Sequence, residues 1–526
     1  MSNVTSSAAY SLLGFLVVAV VSIKWLRVAQ REHYIGGYVF RFAQRWYLSR
    51  DSNANITIAV LMVIAVVAAI SRPNVALIVV PSLAITALLA LISPIGLGYK
   101  GRSAKLKWTR RAKVLYGAVL AITALVSAAA VLIGLAAAMA AVYILITPVI
   151  VEAALWVTEP LERRLLDSFV AEAEKKLNAV NPRRVAITGS FGKTSTKFYL
   201  AQISAYSFST LASPASFNNR GGLARAINEN LVAGTEVFIA EMGAYRKGEI
   251  ASLVGWIHPE IVAITAIGPV HLERFGSEDE ILAAKSEITR GARCVVVNAD
   301  DYRLQTLANQ LEHDGTKVWL VSGSDISRDV CVLVDDDKRA VAYVKQRRIG
   351  STATGVATSN LAVAVALALE LGVSEEVIGK ALESLTTPAN RINIGSSESG
   401  VTVIDDTYNS NPAGARLALE RLRELGEPGS KKVVVTPGMV EMGSRQYEEN
   451  REFGTAIASV ATDVVIVGRT NRKAIERGIL ADRSSIRSGT RIIECPTREE
   501  AVRWVKANLR VGDAVLYEND LPDHYG

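Results

Sequence analysis

Residues 115–157 form an apolar stretch whose only charged residue is Glu152. A spanning helix needs about 20 apolar residues, so this stretch is long enough for two, with a natural division near Gly134. Comparable runs occupy residues 8–26, 55–71 and 74–97, and none follows residue 157. The expectation is an all-α region of five spans: 8–26, 55–71, 74–97, 115–134 and 136–157. The first run has no basic start and no small-x-small cleavage site, so it reads as an anchor and not as a signal peptide.

Charge divides the chain at the same place. Residues 1–157 hold fourteen Lys/Arg against three acids, a balance of +11; the chain as a whole is +7, so the rest is −4. The basic character therefore belongs to the apolar region and gives no reason to expect nucleic-acid binding. Arg27, Arg31, Arg41, Arg45 and Arg50 fall in one loop; Lys100, Arg102, Lys105, Lys107, Arg110, Arg111 and Lys113 fall in another. Basic loops stay cytoplasmic. With five spans, this sets the N-terminus outside and residues 158–526 in the cytoplasm, with membrane lipid as a partner.

Cys294, Cys331 and Cys495 are far apart, odd in number and flanked by apolar residues, which suits buried thiols in a reducing compartment. Residues 158–182 read as an amphipathic connecting helix along the membrane surface. Strand-like runs at 185–188, 236–240, 260–266, 293–298 and 316–321 alternate with helical patterns, and a second set begins at 401–406 and continues through 432–436, 463–467, 490–493 and 513–517. Such alternation predicts an α/β architecture of parallel sheets. The Pro-, Gly- and Ser-rich segment 386–400 separates the sets. Expected domains are thus a membrane region (1–157), the connecting helix (158–182), a parallel-sheet P-loop-type ATPase domain (183–392) and a Rossmann-like C-terminal domain (393–526).

The first strand runs into Gly189-Ser190-Phe191-Gly192-Lys193-Thr194-Ser195. The glycines are closer together than in the general G-x-x-x-x-G-K-[ST] loop. Ligands of parallel sheets bind at the carboxyl ends of strands, and there the following strands carry Glu241, His271 and the Asn298-Ala-Asp-Asp turn. Backbone N–H groups before the next helix would cradle phosphates. Lys193 would contact β- and γ-oxygens, and Thr194 would ligate Mg2+. Read singly, Glu241 is also compatible with a strand-end surface acid, His271 with a half-buried histidine, and Lys285 with a solvated helix lysine.

Six ordered segments carry a resemblance: "TGSFGKTS", "SFNNRGGLARAI", "IAEMGAYRKGEIASL", "HLERFGSEDEILAAKSEI", "VNADD" with "PANRIN", and "IDDTYNSNPAG". Over roughly residues 183–526 the chain resembles the Mur ligases, ATP-dependent amide-forming enzymes of cell-wall precursor synthesis, and within them the ligase that adds D-alanyl-D-alanine. The short glycine spacing is that family's form. The resemblance implies activation of a carboxylate as an acyl phosphate, which an amine then displaces. It implies phosphate contacts from Gly189, Ser190, Gly192, Lys193 and Ser195. It further implies one Mg2+ on Thr194 and Glu241 and a second on His271. Adenine would meet Asn298, with Arg391 and the Asp406–Asn409 stretch closing over ATP from the C-terminal domain. Lys285, fourteen residues after His271, corresponds to a lysine that is carbamylated and becomes an oxygen ligand for Mg2+. Asn218 and Asn219 would face the carboxylate substrate, a muropeptide whose partner is an amino acid or dipeptide.

The chain departs from the family in having spans where a soluble precursor-binding domain would stand, and in "PANRIN" where Pro-Gly-Arg is usual. A related ligase such as a poly-γ-glutamate synthase, or a non-catalytic nucleotide-binding membrane scaffold, are the alternatives.

Overall fold

The computed structural model describes residues 2–48, 53–73, 75–100, 105–214, 217–270, 272–353, 355–386, 393–397, 400–407, 411–425, 429–481 and 489–519. Contacts divide the chain into two compact units with a boundary at Leu165/Leu166.

The first unit is helical. Ser6–Arg31, Asn53–Ser71 and Arg110–Leu132 are long and apolar enough to cross a membrane. The other two expected spans differ from a full-length helix. Ala76–Ile92 is apolar but has 17 residues. The run 136–157 is broken at Ile146 into Ala136–Leu145 and the start of Thr147–Val180, with a bend of 78°. Gly134, at φ +71°, makes the turn that the sequence suggested. Small residues allow close helix contact here: Ala136, Ala137, Ala138, Ala140 and Ala141 are buried, and a Cβ on Gly14 would lie 2.4 Å from the Tyr143 hydroxyl. The two basic loops meet at one end of this unit. Gln30 Nε2 donates to the Lys107 carbonyl (2.7 Å), Lys107 N donates to Gln30 Oε1 (2.8 Å), and Arg111 lies 4.5 Å over the Tyr34 ring.

In the second unit, the helical residues after Leu165 do more than connect. Val170, Ala173 and Leu177, spaced to share one helix face, are buried in a core with Ala186, Leu223 and Phe238. The expected surface linker is there a core helix.

Among the described residues, fifteen strands build two sheets. The first contains β1 (Arg183–Thr188), β2 (Thr210–Ala212), β3 (Val237–Glu241), β4 (Ile261–Ile264), β5 (Cys294–Asn298), β6 (Lys317–Ser322), β7 (Val330–Val334), β8 (Ala340–Val344) and β9 (Arg347–Thr352), in the order β2-β3-β1-β4-β5-β6-β7-β8-β9. The six pairings from β2 to β7 are parallel, and the last two, β7 with β8 and β8 with β9, are antiparallel. Every residue of β3, β4 and β5 is buried, as expected of strands covered on both faces. The second sheet contains β10 (Asn393–Ser396), β11 (Thr402–Asp406), β12 (Lys432–Thr436), β13 (Asp463–Val467), β14 (Arg491–Cys495) and β15 (Ala514–Glu518), in the order β10-β11-β15-β12-β13-β14. It is parallel except for the edge strand β10.

The chain order reverses around β1. From β1 it moves to one side for β2 and β3, then crosses to the other for β4. A crevice outside the carboxyl ends of β3, β1 and β4 is where such a sheet takes a ligand.

Candidate active site

The loop after β1 is held by β4 and by a helix that the sequence reading did not use. Gly189 (φ +148°) and Gly192 (φ +88°) adopt backbone angles that side-chain-bearing residues avoid. A Cβ on Gly189 would stand 2.1 Å from Thr265 Oγ1, and one on Gly192 would stand 2.2 Å from Asn360 Oδ1. Thr265 Oγ1 donates to the Phe191 carbonyl (2.5 Å), and Ser190 N donates to the Ala266 carbonyl (2.8 Å). Thr265 and Asn360 therefore shape the loop, and nothing in their local sequence marks them.

Helix Lys193–Ser204 starts directly from Gly192, so its first N–H groups point into the crevice. Lys193 Nζ folds back on the loop and donates to the carbonyls of Gly189 (2.5 Å) and Ser190 (3.1 Å). Ser195 is buried in the same first turn.

Glu241 ends β3, buried, and its carboxylate is the hub of the crevice. It accepts from Thr194 Oγ1 (3.0 Å) and Asn218 Nδ2 (3.2 Å) and pairs with Lys197 Nζ (2.9 Å). Burial pushes this carboxyl upward. The charges of Lys197 and Lys193, with hydrogen bonds from Lys197 and Asn218, outweigh burial and hold it below the ordinary carboxylate value. Lys197 was not among the expected site residues. Its spacing from Lys193 and Thr194 puts it on their helix face, but only the burial of Glu241 reveals the pair.

The two expected substrate asparagines separate. Asn218 faces Glu241, whereas Asn219 Oδ1 caps helix Arg220–Asn230 by accepting from Gly222 N (2.9 Å). Asn219 is thus a helix cap in this structure and does not point at the carboxylate hub with Asn218.

Lys285 is buried with Ile281 near the end of helix Glu278–Ser286, and is not the solvated helix lysine it could have been when read singly. Burial first, and the charge of Lys193 second, push its ammonium down to about 7, against Glu249 and Glu287. Glu287 fastens this turn to the helix Glu249–Ile257 by accepting from Gly248 N (2.7 Å) and Ala251 N (3.0 Å). Asn298 is buried at the end of β5 and accepts from Asp300 N (3.1 Å). Arg303 holds the segment before residue 271: it donates to the Ile267 carbonyl (3.0 Å) and to Asp301 (3.0 Å), which in turn accepts from Ile267 N (3.3 Å). Asp406 is buried at the end of β11. His271, Arg391 and Asn409 lie outside the described residues.

The second sheet reaches the first domain beside this crevice. Glu441, at φ +64°, pairs with Arg274 (3.4 Å), and Glu278 accepts from both Arg303 and Arg445.

The donors suit a magnesium ion. Thr194 and Glu241 bring two hard oxygens together, and Mg2+ in nucleotide sites takes one or two protein oxygens, with phosphates and water completing the shell. No cluster of three His, Cys, Asp or Glu that could hold a metal occurs among the described residues, so the phosphates would have to supply most of the shell.

Comparison with known proteins agrees with this arrangement. Residues 187–368 match the Mur ligase middle domain, and residues 390–517 match the Mur ligase glutamate ligase domain. The UDP-N-acetylmuramoyl-tripeptide--D-alanyl-D-alanine ligase of Mycobacterium leprae is 30% identical over 368 residues, covering 63% of this chain and 70% of that protein. The Bacillus subtilis ligase of the same name is 26% identical over 359 residues, covering 66% and 75%. Among solved structures, MurF from Acinetobacter baumannii superposes with a TM-score of 0.58 at 25% identity, covering 68% of this chain and 77% of that one. MurF from Thermotoga maritima in complex with ADP shares the fold with a TM-score of 0.57 at 24% identity, covering 68% and 80%. With the short-spaced glycine loop and its buried glutamate in place, the chain belongs to the Mur ligase family and is an ATP-dependent peptide ligase of the MurF-like kind.

Proposed function

We propose that this chain is a membrane-anchored ligase that joins D-alanyl-D-alanine to a muropeptide carboxylate. The observation that carries the reading is the hub at Glu241, where Thr194 and Asn218 converge beside the Lys193 loop. In a ligase of this type the γ-phosphate of ATP passes to a substrate carboxylate, and the amine then attacks the acyl phosphate and releases phosphate. Most of the acceleration comes from positioning and charge neutralisation.

The residues divide that work. Backbone N–H groups from Phe191 to Ser195 hold phosphate oxygens, and Lys193 leaves the loop carbonyls to neutralise the γ-phosphate. Thr194 and Glu241 would hold Mg2+, which neutralises the same phosphates, with His271 serving a second ion. Lys285 acts as a carbamate: an amine with its pKa lowered to about 7 is available to CO2, and the product is an anionic oxygen ligand. Asn298 serves the adenine, and the family resemblance assigns Arg391, Asp406 and Asn409 to the nucleotide as well. Asn218 orients the acceptor carboxylate, and Asn219 supports it as a cap.

Anchoring is supported by the three helices of spanning length and by the joining of both basic loops at one end of the helical unit. With those loops on the cytoplasmic side, the ATP site lies where ATP is. A membrane location suits a lipid-linked muropeptide as acceptor. The test is phosphate release by purified protein given ATP, D-alanyl-D-alanine and either a UDP-linked or a lipid-linked muropeptide. Turnover with L-glutamate in place of the dipeptide would replace this reading with a poly-γ-glutamate synthase. No turnover with any amine would leave a nucleotide-binding scaffold.

A further inference from the structure

The Glu241 hub contains a group that the ligase chemistry does not need. Lys197 is buried, with 6% of its side chain exposed, and Glu241 with 2%, and their ion pair spans 2.9 Å. The ammonium and the Thr194 hydroxyl both point at the same carboxylate oxygen, Oε2. That oxygen is the one a metal ion shared with Thr194 would take.

The charges on the bare crevice decide what can enter it. Glu241 contributes one negative charge, and Lys197 and Lys193 both bear on it with positive charge. A dication placed on Glu241 meets an ammonium already bound to its ligand and a second lysine nearby. Coulomb energy between charges at this range is large even at the effective dielectric of a protein surface. Nucleotide phosphates reverse the balance, because they bring several negative charges and draw Lys193 toward themselves.

We propose that Lys197 is a positioning residue that acts as a resident counter-cation on Glu241, keeping the divalent ion out until nucleotide phosphates arrive. The inference rests on the reading of Thr194 and Glu241 as the metal pair. It gives Lys197 two effects. It holds the buried carboxylate in its ligating orientation, which an unpaired buried charge would not keep. It also makes metal uptake conditional on nucleotide, so that the crevice does not fill with a bare ion that blocks the phosphates.

The experiment measures binding of Mn2+ by electron paramagnetic resonance to the full chain in detergent, with and without ADP. The parent is expected to bind Mn2+ weakly alone and about tenfold or more tightly with ADP. Lys197→Gln keeps a hydrogen-bond donor but removes the charge, and is expected to bind Mn2+ without ADP about tenfold more tightly than the parent. Lys197→Arg keeps the charge and is expected to behave as the parent. Equal Mn2+ affinity of Lys197→Gln and the parent without ADP would overturn the proposal. If Lys197→Gln does not fold, the parent still decides: equal affinity with and without ADP also overturns it. Glu241→Gln separates the two levels. Undiminished Mn2+ binding by that variant in the presence of ADP would remove the metal pair itself.

Discussion

Asp406 on β11 stands in register with Glu518 on the neighbouring parallel strand β15, and both carboxyls are buried. Burial, and next the adjacent Asp406 carboxyl, raise Glu518 well above its ordinary value. The folded chain therefore keeps a proton on this pair where the unfolded chain has lost it. For a raised pKa, the contribution to stability is complete below the unfolded value of about 4.5 and declines as pH rises toward the folded value. Glu518→Gln should remove that decline. Thermal unfolding followed from about pH 5 to about pH 8, above the unfolded carboxyl value, should show the variant gaining on the parent as pH rises. A constant difference would mean that the pair does not hold the proton.

Gly192 and Gly234 have nearly the same φ, +88° and +86°, but only Gly192 is crowded, by Asn360. Alanine at either position pays about 1–2 kcal/mol for the left-handed backbone. Gly192→Ala adds the clash with Asn360 and should be the less stable of the two in chemical denaturation. It should also lose nucleotide binding, while Gly234→Ala keeps it. Similar losses for both would show that the loop can move away from Asn360.

Lys193→Ala removes two hydrogen bonds to loop carbonyls, at 2.5 and 3.1 Å. Each is worth about 1 kcal/mol, so the fold should survive. Phosphate release in the presence of substrates should vanish, because no other group in the loop can neutralise the γ-phosphate. Turnover at the parent rate would move the nucleotide elsewhere.

The sequence exposes the parts of this chain that follow a short period or a fixed spacing. Strands β1, β3, β4 and β5 appear as continuous apolar runs because both faces are covered, and β6 is legible as an apolar run although it is only partly buried. The edge strands β2 and β10 and the antiparallel β7–β9 do not, since they are short, mixed in character or close to turns. Spans were legible as apolar length, but the bend at Ile146 was not: no charge or glycine marks it, and Pro148 follows it. In the site, Lys193, Thr194 and Glu241 were legible from their places after strands. Lys197, Thr265, Asn360 and Glu287 were not, because their roles come from contacts between segments far apart in sequence. Asn219 shows the reverse case, a residue whose motif suggested substrate contact and whose side chain closes a helix end.

Lys285 gives the sharpest test of the ligase reading. Its ammonium is lowered from 10.5 to about 7, by burial first and Lys193 second. Between these values the folded chain binds fewer protons than the unfolded chain, so stability of metal-free, CO2-depleted protein should rise with pH from about 7 to about 10.5. Lys285→Met has no such charge to bury and should flatten that rise, gaining most below about pH 7, the value to which burial lowers this amine. The same lowered pKa leaves a neutral amine at physiological pH. Its lone pair attacks CO2, the amine loses a proton, and an anionic carbamate forms. Activity should therefore depend on bicarbonate, be lost in Lys285→Ala, and return in part when a small carboxylate such as acetate is added to that variant. Lys285→Arg cannot form the carbamate and carries a fixed positive charge to the metal. Full activity of Lys285→Arg would exclude the carbamate, and the pH dependence of stability would then stand as the mark of a buried structural lysine.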